Sequence, residues 1–121
     1  MDVSIIADTI KRLIKSGKIK SFGVSNFTAN QMDMFKGKVE VLYNQINLSL
    51  THPDHMFDGT LEYMQANDIL PMAYSPLGSY FKEDDGKIKD LVDKLKNKYG
   101  CTDYQLLISW LLKHPSKVYP V

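Results

Sequence analysis

Helical and extended sequence patterns alternate along the whole chain, and this alternation limits the folds that it can adopt. Apolar residues at Val3, Ile6, Ile10 and Leu13 recur at three- and four-residue steps, which predicts an amphipathic helix that ends at Gly17. Short β-branched and aromatic runs then alternate with further helical patterns. The predicted order is helix, strand, helix, strand, helix, strand, helix, helix, strand. This order indicates an α/β fold with parallel strands and flanking helices.

The extended patterns predict four strands, at about 20–25, 39–46, 69–74 and 117–121. Helices are expected between them, including one at about 29–35 and one at about 56–66. Thr28 with Gln31, and Thr102 with Gln105, match the capping-box pattern and predict helix starts. A polar loop is expected from Ser79 to Gly86. Residues 1–121 are expected to form a single domain.

Two architectures fit this alternation, an open doubly wound sheet and a β/α barrel. A doubly wound dinucleotide-binding sheet would need a glycine-rich turn after a strand, and the seven glycines of the chain are scattered. A complete barrel has eight strands and about 250 residues. The fold expected here is therefore a partial (β/α)8 TIM barrel with two open sheet edges. Such a chain would be a fragment, or a half that pairs with another chain.

Three short stretches follow the first three predicted strands, where barrels carry their functional residues. They are Ser25-Asn26-Phe27, Asn44-Gln45 and the segment Tyr74-Ser-Pro-Leu-Gly78. Each alone has an ordinary explanation as turn formers or core residues. Together they form a cluster of amide, hydroxyl and aromatic groups. Such a cluster suits a flat heteroaromatic ring that bears a carboxamide.

The same stretches resemble a known family. Gly17-Lys-Ile-Lys-Ser-Phe-Gly-Val-Ser-Asn-Phe27, Tyr43-Asn-Gln45 and Ala73-Tyr-Ser-Pro-Leu-Gly78 are similar, in this order, to motifs of the aldo-keto reductases. Lys98-Tyr-Gly-Cys-Thr102 and the last five residues resemble the family's helix before the eighth strand and that strand itself. The resemblance covers nearly the whole chain. It implies a β/α barrel that transfers hydride from NADPH to a carbonyl.

The resemblance also implies roles for individual residues. Ser25 and Asn26 match the pair that binds the nicotinamide carboxamide, and Gln45 matches its third partner. Tyr74 matches the aromatic residue that stacks on the nicotinamide ring.

The next two matching positions concern the cofactor's phosphates. By the same resemblance, Ser75 and Leu77 match positions that contact the pyrophosphate through side chain and backbone.

The departures from the family pattern limit what the chain is expected to do. The family's catalytic Asp, Tyr, Lys and His come from earlier strands, and its 2′-phosphate-binding segment follows the eighth strand. The chain would then run from near the fourth helix into the eighth strand, with no catalytic residue of its own. We expect a fragment of an NADPH-dependent oxidoreductase for aldehydes or ketones, inactive alone and binding NADPH weakly at best. The alternative is a non-catalytic half-barrel that self-associates through its sheet edges.

Composition excludes little else. Fifteen basic residues against fourteen acidic ones give no electrostatic case for nucleic acid or an anionic membrane, and no apolar run is long enough to span a bilayer. Cys101 is the single cysteine, which suits a reducing compartment and predicts a cytoplasmic location. His52 and His55 flank Asp54, but no third ligand is evident, so no metal site is expected.

Overall fold

The protein forms one four-stranded parallel sheet with helices packed on it. The computed structural model describes residues 2–82 and 86–121. The strands are β1 (Gly23–Ser25), β2 (Tyr43–Asn47), β3 (Leu70–Tyr74) and β4 (Tyr119–Pro120). The described helices are α1 (Val3–Lys15), α2 (Ala29–Asp33), a short 3₁₀ helix (Asp54–Met56), α3 (Thr60–Ala66), α4 (Gly86–Tyr99) and α5 (Asp103–Leu112).

The strands lie side by side in chain order, β1-β2-β3-β4, and every neighbouring pair is parallel. Each crossover therefore moves one strand in the same direction along the sheet. A doubly wound sheet would instead reverse direction at a switch point. Continuous progression is the arrangement of a barrel wall. The predicted α/β class, with four parallel strands and flanking helices, is confirmed.

Local sequence signals set most helix ends. The Asp2 carboxylate accepts hydrogen bonds from the backbone N–H groups of Ser4 (3.0 Å) and Ile5 (3.3 Å) at the start of α1. After α1 the chain reverses at Gly17, whose φ of 70° favours glycine. Both predicted capping boxes, at Thr28 and Thr102, are present with reciprocal hydrogen bonds.

The sheet buries one face against the helices. Along β2, Asn44 and Ile46 are fully buried, whereas Tyr43, Gln45 and Asn47 are partly exposed. Side chains alternate between the two faces of a strand, so these two sets lie on opposite faces. The buried face joins α1, α2, α3 and α5 in one apolar cluster, whose members include Val3, Val24, Met32, Phe35, Ile46, Leu61, Met64, Ala73, Leu111 and Val118. The other face carries the carboxyl-end residues considered below.

Several element boundaries differ from the sequence prediction. Strand β2 starts at Tyr43 rather than at residue 39, because Tyr43 is the first of its residues paired with β1, opposite Gly23. Strand β4 is shorter than expected, because Lys117 adopts a φ of 56°, outside the extended region.

The third helix also differs: α3 starts at Thr60 rather than at Met56. Gly59, with a φ of 85°, separates it from the 3₁₀ turn, and Asp58 accepts a hydrogen bond from the Thr60 N–H at 2.9 Å. The predicted polar loop of Ser79 to Gly86 includes 83–85, which lie outside the described residues. Gly86 itself belongs to α4.

Candidate functional site

The predicted site residues come together at the carboxyl ends of β1, β2 and β3. Ser25 pairs with Gln45 in the ladder between β1 and β2, and Asn47 pairs with Tyr74 between β2 and β3. Asn26 follows β1 directly, and Ser75 follows β3. Parallel strands place these ends at one edge of the sheet, so residues far apart in sequence become neighbours.

Two groups at the end of β1 donate to the same carbonyl oxygen on β2. The Ser25 hydroxyl donates to the Gln45 backbone oxygen at 3.0 Å, and the Asn26 N–H donates to it at 2.9 Å. Asn26 has a φ of 55°, a left-handed conformation that asparagine tolerates, and the strand ends there. Both side chains are exposed. The Ser25 oxygen keeps lone pairs that can accept a hydrogen bond from a ligand.

Tyr74 connects the end of β3 with the end of β1. Its hydroxyl donates to Asn26 Oδ1 at 3.2 Å, across 48 positions of sequence. Because β2 lies between β1 and β3, the Tyr74 side chain spans the end of β2. This hydrogen bond commits Asn26 Oδ1 as an acceptor and leaves the Nδ2 group to donate to a ligand.

Asn44 holds the loop after β1 by hydrogen bonds from its side chain. Its side chain is fully buried, and Nδ2 donates to the Phe27 carbonyl at 2.8 Å while Oδ1 accepts from the Phe27 N–H at 3.3 Å. The Asn44 amide thus takes the place of a neighbouring strand's backbone as the hydrogen-bond partner of Phe27. It thereby fixes the backbone of Phe27, which directly follows Asn26. The sequence singled out Asn44 only as part of Asn44-Gln45. The structure assigns it this supporting contact.

A tight turn follows Tyr74. Ser75 has a φ of 50°, and its carbonyl accepts a hydrogen bond from the Gly78 N–H at 2.8 Å. Gly78, with a φ of 58°, lies so close to the Ser49 and Thr51 side chains that a Cβ atom would overlap them. Leu77 is half-buried and packs on a second apolar cluster, which contains Tyr80, Val92 and Leu107. Leu77 thereby fixes the turn and leaves mainly its backbone for contact with a ligand.

The end of this turn is tied to the last two helices. The Tyr80 hydroxyl donates to Asp103 Oδ2 at 3.1 Å, and Asp103 forms an ion pair with Lys96. The hydrogen bond from Lys96 holds the pKa of Asp103 below its ordinary value, against the effect of burial. The same hydrogen bond raises the pKa of Lys96. Burial first, and then the contact with Asp103, raises the pKa of Tyr80.

Two buried polar atoms near the site have no hydrogen-bond partner among the described residues. They are Asn47 Oδ1 and Ser79 Oγ. Asn47 is two residues beyond Gln45, on the same face of β2, and Ser79 directly follows the turn. Buried polar atoms normally find a partner, and either a water molecule or a ligand group can supply one here. Strand alternation could have indicated Asn47 from the sequence.

The two histidines of the loop after β2 have separate partners. His52 Nδ1 lies 3.2 Å from Thr51 Oγ1, and His55 Nδ1 lies 2.9 Å from Asp58 Oδ2. Burial acts to raise the pKa of Asp58, but hydrogen bonds from Thr60 and His55 outweigh it and lower that pKa. Within 2–82 and 86–121, no group of three or more His, Cys, Asp or Glu residues is arranged to hold a metal ion.

Comparison with known proteins decides the family. The family model described as "Aldo/keto reductase family" matches residues 2–121. The chain belongs to the aldo/keto reductase family. The resemblance inferred from the motifs is thus confirmed.

Individual relatives of this aldo/keto reductase chain are distant but span it. A 6-dehydroglucose reductase of Agrobacterium fabrum is 33% identical over 100% of the chain and 42% of its own length. An NADPH-dependent alpha-keto amide reductase of Saccharomyces cerevisiae is 34% identical over 86% of the chain and 35% of its own length. An aldo/keto reductase of Klebsiella pneumoniae, solved with NADP and acetate, is 26% identical, with a TM-score of 0.85 over 100% of the chain and 44% of that protein.

The chain therefore spans less than half the length of the relatives it matches. The structural agreement confirms the predicted partial barrel. In the part of the chain that the structure describes, no helix has the length and apolar character needed to cross a bilayer.

Proposed function

We propose that this chain forms the nicotinamide-binding side of an NADPH-dependent reductase that converts aldehydes or ketones to alcohols. The observation that carries the proposal is that Ser25, Asn26, Gln45 and Tyr74 lie together at the carboxyl ends of β1, β2 and β3. The hydrogen bond from Tyr74 to Asn26, at 3.2 Å, ties that cluster together. The names of two relatives support the choice of cofactor, since one is NADPH-dependent and the other was solved with NADP.

The donor and acceptor pattern fits a carboxamide. Asn26 Nδ2 donates to the carboxamide oxygen, and the Ser25 oxygen accepts from the carboxamide nitrogen, since the Ser25 proton is already given to Gln45 O. The Gln45 side-chain amide supplies the third contact, and the Tyr74 ring offers a flat apolar surface to the nicotinamide. When bound, NADPH supplies the hydride. The chain's own residues orient the ring.

The turn after β3 is proposed to contact the pyrophosphate. Ser75 is exposed, so its hydroxyl is accessible to a ligand, while the half-buried Leu77 would contribute through its backbone. The Ser79 hydroxyl, which is buried without a partner, lies beside them and can add a further hydrogen bond. Backbone N–H groups in a turn with left-handed residues suit an anion.

The acid that protonates the carbonyl oxygen is proposed to come from outside these 121 residues. Proton donation needs a tyrosine tuned by charged neighbours. The Tyr74 hydroxyl already donates to Asn26, and the Tyr63 hydroxyl donates to Asp33. Burial first, and then the contact with Asp33, raises the pKa of Tyr63 to about 12. We therefore propose that the chain lacks the catalytic Asp, Tyr, Lys and His that the family resemblance implies for a complete barrel. The substrate of the full-length parent is proposed to be a small carbonyl compound, and the cytoplasmic location of the chain stays a prediction.

Two measurements on the 121-residue chain test the proposal. Amide NMR spectra during titration with reduced nicotinamide mononucleotide should shift at Ser25, Asn26 and Gln45, and Gln45→Leu should weaken that binding. Asn97→Leu, an exposed change on α4, is the matched control. Carbonyl-dependent oxidation of NADPH should be absent. Shifts confined to other surfaces would refute the binding site, and robust turnover would refute the missing acid.

A second role, self-association through the sheet edges, has one observation in its favour. Strands β1 and β4 each have a single neighbour in the described sheet, and Leu70 and Tyr119 are 38% and 57% exposed. Unpaired edges with apolar neighbours promote association. Light scattering should then show a dimer or larger species that Tyr119→Lys weakens. A monomer at all concentrations would exclude this role.

A further inference from the structure

The loop that follows β2 holds the turn that follows β3. We propose that Thr51 is a positioning residue that fixes the pyrophosphate-contacting turn, Ser75–Ser79, in its binding conformation. This inference rests on the proposed function for the ligand, but the contact itself is independent of it. Thr51 lies 28 positions before Ser79, in the loop that follows β2.

The Thr51 hydroxyl is the centre of a small hydrogen-bond network. Its oxygen accepts from the Ser79 N–H at 3.0 Å. Ser49 Oγ lies 3.3 Å from it, and His52 Nδ1 lies 3.2 Å from it. One hydroxyl has two acceptor sites and one donor, so these three contacts use its full capacity. A side chain engaged in this way has little rotational freedom, and it fixes the Ser79 backbone accordingly.

Ser49 fixes Thr51 in turn. Ser49 is fully buried, and its backbone exchanges hydrogen bonds with His52 at 3.2 Å and 3.1 Å. The Ser49 side-chain oxygen, Oγ, also accepts a hydrogen bond from the His52 N–H at 3.1 Å. Hydrogen bonds among Ser49, Thr51 and His52 therefore restrain the Thr51 side chain within the loop.

Packing brings the two segments into close contact beside these hydrogen bonds. A Cβ atom on Gly78 would overlap both the Ser49 and the Thr51 side chains, so the turn approaches the loop to a distance that only glycine permits. Leu50, between Ser49 and Thr51 in sequence, packs with Leu77 on the same apolar cluster. The turn is thus held by an apolar contact on one side and a polar contact on the other.

The turn needs such support because its backbone is unfavourable. Ser75 adopts a φ of 50°, a left-handed conformation that costs about 1 kcal/mol for a residue with a side chain. Without the bond to Thr51, the Ser79 N–H would lose its partner and the segment could relax. Preorganised groups bind an anion more tightly, because the ordering cost is met before binding. Thr51 should therefore affect phosphate recognition more than recognition of the ring.

The decisive pair of variants is Thr51→Val, which removes the hydroxyl with little change in shape, and Thr51→Ser, which keeps it. In Thr51→Val, hydrogen exchange of the Ser79 amide should accelerate about tenfold, the value expected when a part-buried donor loses its partner. Thr51→Ser should stay near the wild-type rate. Hydrogen exchange of the Val24 amide should not change in either variant, because Val24 lies in β1 and β2 separates it from the turn after β3.

Binding supplies the functional readout. Reduced nicotinamide mononucleotide and reduced nicotinamide riboside differ only in the phosphate. We expect Thr51→Val to weaken binding of the mononucleotide about fivefold or more while leaving binding of the riboside unchanged, and Thr51→Ser to retain the wild-type preference. Equal losses for both ligands, or unchanged exchange at Ser79, would overturn the positioning role. If the wild-type chain binds neither ligand, the proposed function fails, and Ser79 exchange alone decides whether Thr51 holds the turn.

Discussion

Replacing Asn44 should reveal how strongly the sheet fixes the loop that carries Asn26. Asn44 is fully buried and makes both of its side-chain hydrogen bonds to the Phe27 backbone, at 2.8 Å and 3.3 Å. Asn44→Leu keeps the number and branching of the side-chain heavy atoms but leaves the Phe27 N–H and carbonyl without partners. Each orphaned group costs about 1 kcal/mol or more, so we expect a total loss of about 2 kcal/mol. That is a substantial part of the ~5–15 kcal/mol typical of a folded domain.

Urea denaturation followed by circular dichroism measures this change. With a denaturant slope of about 2 kcal/mol per molar, the midpoint should fall by about 1 M. Gln45→Leu, on the opposite face of the same strand, is the matched control and should shift the midpoint by no more than about 0.3 M. A midpoint for Asn44→Leu within that same range would show that the Phe27 contacts contribute nothing net.

A second substitution at the same site separates hydrogen bonding from packing. Asn44→Asp retains an acceptor for the Phe27 N–H but places a carboxylate oxygen against the Phe27 carbonyl. Burial and this repulsion should raise the pKa of the new carboxyl group, and the protonated form can donate to the carbonyl again. Because the folded-state pKa is raised, stability should increase as the pH falls through that value. If the stability of Asn44→Asp instead changes with pH in parallel with that of the wild type, this account is wrong.

Three further predictions concern the site and its anchors. Tyr74→Leu should weaken binding of reduced nicotinamide mononucleotide about threefold to tenfold by removing the stacking surface, measured by NMR titration, whereas Tyr74→Phe should retain most of the affinity. The pKa of Asp103 lies below 3.8 chiefly because of Lys96, so its contribution to stability is present above that pH and lost as the pH falls toward the lower value. Acid denaturation of Asp103→Asn should lack this component. The pKa of Tyr63 is raised to about 12 by burial and by Asp33, so Asp33→Asn should make Tyr63 ionise at lower pH in an ultraviolet titration. An unchanged titration would exclude the Asp33 contact.

The sequence carried most of the information about where the candidate site lies. The rule that functional residues of barrels lie at the carboxyl ends of strands selects Ser25, Gln45 and Tyr74 from the sequence. Local patterns also predicted both capping boxes, because the interacting residues are only three positions apart. These features depend on spacing along the chain, and spacing is visible in a sequence.

Features that depend on contacts between distant segments were not predictable in this way. The support of Phe27 by Asn44 joins residues 17 positions apart, and the bond from Ser79 to Thr51 joins residues 28 apart. Nothing local in Thr51 distinguishes it from an ordinary loop residue. The start of α3 was misplaced for a different reason: Gly59 interrupts an apolar pattern that otherwise continues without a break.

The hydrogen bond from Tyr74 to Asn26 has a consequence for stereochemistry. It fixes which end of the Asn26 amide accepts and which end donates, and so determines which way round a carboxamide can sit. In the proposed complex, the Tyr74 ring would cover one face of the nicotinamide and leave the opposite face open to the substrate. One phenolic proton on β3 would thus select between the two hydrogens at the reacting carbon. Cofactor labelled with deuterium on one face or the other would report that selection once the rest of the barrel is present.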